Sequence, residues 1–154
     1  ELIENTLELV RNDYNVKKRY DFRKIKIVKN YSSASPQVYC ERSEIQQVIL
    51  NILKNGAEAM ASAETVSPGF VFRLFSQSGY AVMEIEDNGP GMVPEVKKRV
   101  FEPFYTTKDV GVGTGLGLSV SYFIVCENHQ GELQVISEPG CGSCFRIKLP
   151  LGHA

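Results

Sequence analysis

Ser43-Glu44-Ile45-Gln46-Gln47-Val48-Ile49-Leu50-Asn51-Ile52-Leu53-Lys54-Asn55-Gly56-Ala57-Glu58 is the stretch whose reading decides the fold. Ile45, Val48, Ile49, Ile52, Leu53 and Gly56 recur at helical spacing and form a core stripe, which predicts one long helix over residues 43–61 with Ser43 as its cap. At 100° per residue Glu44, Gln47, Asn51, Asn55 and Glu58 share a narrow sector beside that stripe. A face turned only to water usually carries Lys, Arg and Glu, and Asn is a poor helix former because its amide competes for backbone groups. Two asparagines one turn apart suit a ligand and a hard cation that prefers neutral oxygen donors; a solvated or hydrogen-bonded face is the alternative.

Around this helix the chain reads as helix, strands, helix, hairpin, helices, hairpin. Leu2, Ile3, Leu7, Val10 and Tyr14 have helical spacing, Ile25 and Ile27 alternate with lysines, and Gln37-Val38-Tyr39-Cys40 follows Pro36 as a second short strand. Residues 69–76 and 79–87 are β-rich and joined by Gln77-Ser78-Gly79, a hairpin signal. A short helix from Pro94, a helix over 116–128 and strands at 132–137 and 143–149 complete the order. That order predicts a two-layer α/β sandwich of the α+β kind, a mixed sheet covered on one face by helices.

Composition narrows the function classes. The 154 residues are 43% apolar, enough for one domain with its own core, and 17 Lys plus Arg balance 18 Asp plus Glu. Without a strong field of either sign, neither nucleic acid nor an anionic membrane is the expected partner. No apolar run approaches the roughly 18 residues needed to cross a bilayer. Four cysteines are too few for a disulfide-built fold, so a cytoplasmic location is expected; the isolated domain is expected to be monomeric. The spacing Cys126-x-x-His129 with Cys141-x-x-Cys144 leaves a four-ligand zinc site as a minor alternative to ordinary core and turn residues.

Two further constellations carry chemistry. In Tyr80-Ala81-Val82-Met83-Glu84-Ile85-Glu86-Asp87-Asn88-Gly89-Pro90-Gly91-Met92, strand alternation places Asp87 on the face of Ala81, Met83 and Ile85, so an acid points inward. A buried carboxylate needs hydrogen-bond donors, and the exocyclic amine of adenine is one; a plain Asp-Asn-Gly turn is the alternative. Gly111-Val112-Gly113-Thr114-Gly115-Leu116-Gly117-Leu118-Ser119 runs straight into an apolar helical stretch, which is a phosphate cradle in type, although flexibility or close helix packing would explain some of its glycines.

In this order the elements resemble the catalytic domain of sensor histidine kinases, a branch of the ATP-binding superfamily shared with gyrase, Hsp90 and MutL and built on the Bergerat-type fold. Asn51-Ile52-Leu53-Lys54-Asn55 looks like the asparagine box, Asp87-x-Gly89-x-Gly91 like the first glycine box, and Phe101-Glu102-Pro103-Phe104-Tyr105-Thr106-Thr107-Lys108 like the phenylalanine box. Gly113 to Leu118 looks like the second glycine box and Gly140-Cys141-Gly142-Ser143-Cys144-Phe145 like the last one. The resemblance implies ATP and Mg²⁺ as cofactors, with Asp87 on the adenine amine, Asn55 holding Mg²⁺ and Asn51 supporting the site. It further implies nucleotide contacts from Gly89, Gly91, Met92, Thr106, Thr107, Lys108, Gly113, Thr114, Gly115, Leu116, Gly117, Leu118 and Ser143, with residues 101–115 as a lid.

ATPases of the superfamily carry a Glu one turn before the Mg²⁺ Asn. Asn51 stands there and cannot act as a general base, so transfer to an acceptor is expected rather than hydrolysis, with Lys108 and Asn51 supporting the transfer. Neither His129 nor His153 has the surroundings of the family's phosphoacceptor, and His129 is expected to be structural. Residues 1–16 resemble the end of the dimerising acceptor helix and 17–154 the catalytic domain. The implied partners are the dimerisation and phosphoacceptor domain of the parent kinase and a response regulator. Gln130, where the family commonly has Gly, and Glu58, one turn past Asn55, depart from the pattern. The rival functions are an ATPase, a serine kinase of the anti-sigma type and a non-catalytic nucleotide-binding module.

Overall fold

The computed structural model describes residues 1–12, 20–34, 36–106 and 116–152. Helix α1 (Leu2–Asn12) is followed by a 3₁₀ turn (Phe22–Lys24), strand β1 (Lys26–Tyr31), helix α2 (Arg42–Ser62) and strands β2 (Gly69–Gln77) and β3 (Tyr80–Asp87). Then come α3 (Pro94–Arg99), α4 (Gly117–Phe123) with a π turn at its end (Ile124–Asn128), β4 (Glu132–Ser137) and β5 (Ser143–Pro150). The strands form one sheet in the order β1-β2-β3-β5-β4, with β1 parallel to β2 and every other pair antiparallel. This is the mixed sheet that the element order predicts.

The β2–β3 connection explains its own register. Ser78 and Gly79 both take positive φ, 51° and 82°, the two-residue turn whose twist matches that of the flanking strands. Phe70 thereby faces Asp87, and Phe72 faces Ile85. Phe70, Phe72, Ile85, Phe145 and Ile147 bury the inner face of the sheet against Ile45, Val48, Ile49, Ile52 and Leu53 of α2. On the outer face Glu84 pairs with Arg73 and Arg146, Arg73 also with Glu86, and Lys148 with Glu132, so charge covers the uncovered layer.

Three local expectations change. Ser43 lies inside α2, and the cap position is Glu41, whose N–H donates to His129 Nε2 at 3.1 Å. Residues 37–40 pair with no strand; Val38 and Cys40 instead pack their side chains on the core. The helix over 116–128 is α-helical only to Phe123 and then widens to the π turn, where His129 Nδ1 donates to the Ile124 carbonyl at 2.8 Å. His129, bonded through both ring nitrogens, is a structural clamp between this turn and α2. Gln130 takes a left-handed φ of 50°, the conformation that glycine adopts most easily.

Helix α1 shares the single core: Ile3, Thr6 and Leu7 are buried, and Lys29 Nζ reaches Glu4 at 2.7 Å. The boundary expected at residue 16 falls among residues outside the described set, as do residues 107–115 of the lid and His153.

Candidate nucleotide site

Asp87 ends β3 on the inner face, only 7% exposed, in register with Phe70 on one side and Ser143 on the other. Burial pushes its carboxyl above the ordinary value, and the amides of Gly89 and Ser143 pull it part of the way back. Gly89 N–H donates to Oδ1 at 2.9 Å. Gly56 of α2 lets the Phe70 ring pack in close beside the carboxylate. A Cβ at that position would lie 2.6 Å from Cε1 of Phe70 and 3.2 Å from Asp87 Oδ2. Gly89 supplies the same room on the other side, toward Met60 Cγ.

The segment after β3 crosses the β4–β5 turn backbone to backbone. Gly91 and Gly142 both have positive φ, and a side chain on Gly142 would run into the Asp87 carbonyl. Ser137 knits this crossing. Its hydroxyl accepts from Met92 N–H at 2.9 Å, donates to the Gly142 carbonyl at 2.8 Å and lies 2.9 Å from Ser143 Oγ. Ser143 is thus held beside Asp87 by a residue that sequence reading missed. The signal was the pairing of Ser137 with Ser143 across the hairpin, visible only once the register is known.

Immediately before Gly56 on α2, Asn55 is half-buried, and no hydrogen bond to its carboxamide is found among the described residues. Asn51 is differently placed. Its Nδ2 donates to the Gly117 carbonyl at 2.9 Å and to Ser121 Oγ at 3.1 Å, and its Oδ1 accepts from Gln47 Nε2 at 2.8 Å. Asn51 therefore binds α2 to α4. Of the expected residues, Gly89 and Ser143 lie against Asp87, Gly91 and Met92 meet Glu138 and Ser137, and Gly117 lies beside Asn51, while Asn55, Leu116 and Leu118 are also among the described residues. Thr106 is exposed at the edge of the described set, while Thr107, Lys108, Gly113, Thr114 and Gly115 lie outside it.

Gly117 bears on the phosphate cradle. A Cβ there would make only ordinary contact, 3.7 Å from Asn51 Cγ at its nearest among the described residues, so packing against α2 does not require a glycine. Close approach of a ligand to the backbone does supply a reason. Phe101 of the phenylalanine box meets Tyr122 of α4 at a tilt, 5.2 Å between ring centroids, and Phe145 edge-on at 6.3 Å, which ties this segment to α4 and to the core.

The zinc alternative does not survive. Among the described residues no group of three or more His, Cys, Asp or Glu side chains is placed to hold a metal ion. Cys126 is on the π turn, the ring nitrogens of His129 are engaged, and Cys144 lies on the outer sheet face, where burial and then Glu84 and Glu86 push its thiol up to about 11.

Comparison with known proteins resolves which family uses such a site. Residues 40–153 match the family described as "Histidine kinase-, DNA gyrase B-, and HSP90-like ATPase". The chain belongs to this family. Within it the chain is 36% identical over 150 residues to the signal transduction histidine-protein kinase AtoS of Escherichia coli (strain K12), covering 97% of this chain and 23% of that protein. It is 45% identical over 116 residues to sporulation kinase E of Bacillus subtilis (strain 168), covering 75% and 15%. It superposes on the catalytic domain of histidine kinase ThkA with a TM-score of 0.78 at 25% identity, covering 97% of this chain and 90% of that one. Full-length ShkA, solved in complex with AMPPNP, gives a TM-score of 0.79 at 25% identity, covering 99% and 30%. The chain spans less than a quarter of the length of either curated kinase. It is an ATP-binding catalytic module of the histidine kinase type on the Bergerat fold, and no helix among the described residues is long and apolar enough to cross a membrane.

Proposed function

We propose that this domain binds ATP with Mg²⁺ and donates the γ-phosphate to a histidine on the dimerisation and phosphoacceptor domain of its parent kinase, from which a response regulator is then served. The observation that carries the nucleotide reading is Asp87, a buried carboxylate at the end of a core strand, with Gly56 and Gly89 leaving no side chain of their own beside it. Such an acid suits a flat base that donates one N–H to it, with the Ser143 hydroxyl in the neighbouring strand position. Asn55 presents a neutral carboxamide oxygen to a hard cation, and bound Mg²⁺ supplies the countercharge that the phosphates need. The backbone at Gly117, the preceding glycines and Lys108 receive the phosphate tail.

Transfer rather than hydrolysis follows from position 51. Its side chain accepts no proton at neutral pH, and its amide is already committed to α4, so it offers water no base. His129, bonded at both nitrogens, is likewise no acceptor. The cytoplasm, where ATP is present, is the location consistent with this reading.

Radiolabelled ATP tests the function directly. Incubated alone, the domain is expected to stay unlabelled and to release phosphate slowly; with a separately supplied acceptor domain of the parent kinase, the label moves to that domain. Asn55→Ala should reduce transfer at least tenfold through lost charge compensation. Label on His129 or His153, or rapid phosphate release by the domain alone, would instead assign it to another branch.

A further inference from the structure

Asn51, Gln47 and Ser121 form a strap whose function the family motifs do not specify. Ser121 lies in α4 with no exposed surface, yet carries a hydroxyl. A hydroxyl so buried needs partners. It donates to the Gly117 carbonyl at 2.9 Å and accepts from Asn51 Nδ2 at 3.1 Å, while Asn51 also donates to that carbonyl and is steadied by Gln47. Gly117 O is therefore gripped from two sides, by its own helix and by α2. Apolar packing alone lets two helices slide by fractions of an ångström, whereas a shift of α4 along α2 would break the two bonds from Asn51 together. Within the strap, Asn51 lies one turn before Asn55 on the same face of α2.

We propose that Gln47 and Ser121 are positioning residues for the triphosphate: through Asn51 they fix the distance between the metal-binding Asn55 and the backbone at Gly117. The proposal rests on the nucleotide reading above. Asp87 lies on β3, outside the strap, so recognition of the base and placement of the phosphates are separable. A strap that merely stabilised the fold would affect both alike.

The test compares ADP with adenosine, each titrated in the presence of Mg²⁺ into the unmodified domain, Ser121→Ala and Gln47→Met. The exposed Gln47 gives a variant that keeps the core intact should Ser121→Ala fold poorly. Both variants are expected to bind ADP about three- to tenfold more weakly, the effect of one lost hydrogen bond, with adenosine affinity unchanged within about twofold. Parallel losses for the two ligands, or an undiminished affinity for ADP, would overturn the positioning role while leaving the nucleotide site standing. Failure of the unmodified domain to bind either ligand would remove the nucleotide reading and this proposal with it.

Discussion

Asp87 sets stability against binding within a single side chain. Its carboxyl titrates above the ordinary value of 3.8 in the folded protein because burial penalises the charge more than the amides of Gly89 and Ser143 reward it. A raised folded value means that the native state favours the protonated acid. The resulting stabilisation is fully present below pH 3.8 and is lost as pH rises through the raised folded value. Asp87→Asn imitates the neutral form at every pH, so its stability relative to the unmodified protein should improve in urea melts as pH rises above 3.8 and level off once the raised folded value is passed. The same substitution removes the acceptor for the base and should weaken ATP binding by about 1.5–3 kcal/mol in calorimetry. A variant that is more stable at neutral pH and a poorer binder identifies a functional carboxylate; one that loses neither affinity nor gains stability identifies an ordinary turn residue.

Among the elements, α2 does the most. It supplies the core stripe, the clamp on α4, the proposed metal ligand and, at Gly56, the gap that admits the Phe70 ring beside Asp87. Gly56→Ala therefore pits two effects against each other. Alanine favours the helix over glycine by about 1 kcal/mol, whereas overpacking a filled core costs about 1–3 kcal/mol. Phe70 is 1% exposed and has no free direction in which to move, so overpacking should win. The variant is expected to unfold at lower denaturant concentration, by about 1–2 kcal/mol net, and to bind nucleotide less well because the displaced ring presses on the acid. An unchanged or raised midpoint would show that the packing of Phe70 against α2 is loose.

For the molecule as a whole, α1 packs into the same core as α2 and the sheet. Ile3 and Leu7 are 6% and 1% exposed, and burying each contributes about 1.5–3 kcal/mol. A domain of this size has a net stability of only about 5–15 kcal/mol. Deleting residues 1–12 should therefore remove a large share of the stability and shift the unfolding midpoint sharply, and nucleotide binding should fall with it. A truncated domain with an unchanged midpoint would mark α1 as an appendage.

The amino-acid sequence alone determined the order of the main elements, because α2 and the β2–β3 hairpin announce themselves through local periodicity and a two-residue turn. It also determined Asp87, Asn55 and the glycine-rich segments as candidates, since an inward acid and mid-helix asparagines are locally costly and call for a partner. Local signals failed where the partner is distant in the chain. The cap of α2 was misplaced because the nitrogen that serves Glu41 belongs to His129, and residues 37–40 carry a strand pattern with no neighbour to pair with. The zinc spacing of Cys126, His129, Cys141 and Cys144 was an accident of counting that the sheet separates. Only the tertiary structure decided that Asn51 holds α4, that Ser137 holds Ser143, and that α1 belongs to the core. Each of these depends on groups brought together across 66, 6 or more positions by packing, and hydrogen bonds between such groups leave no periodic trace in the chain.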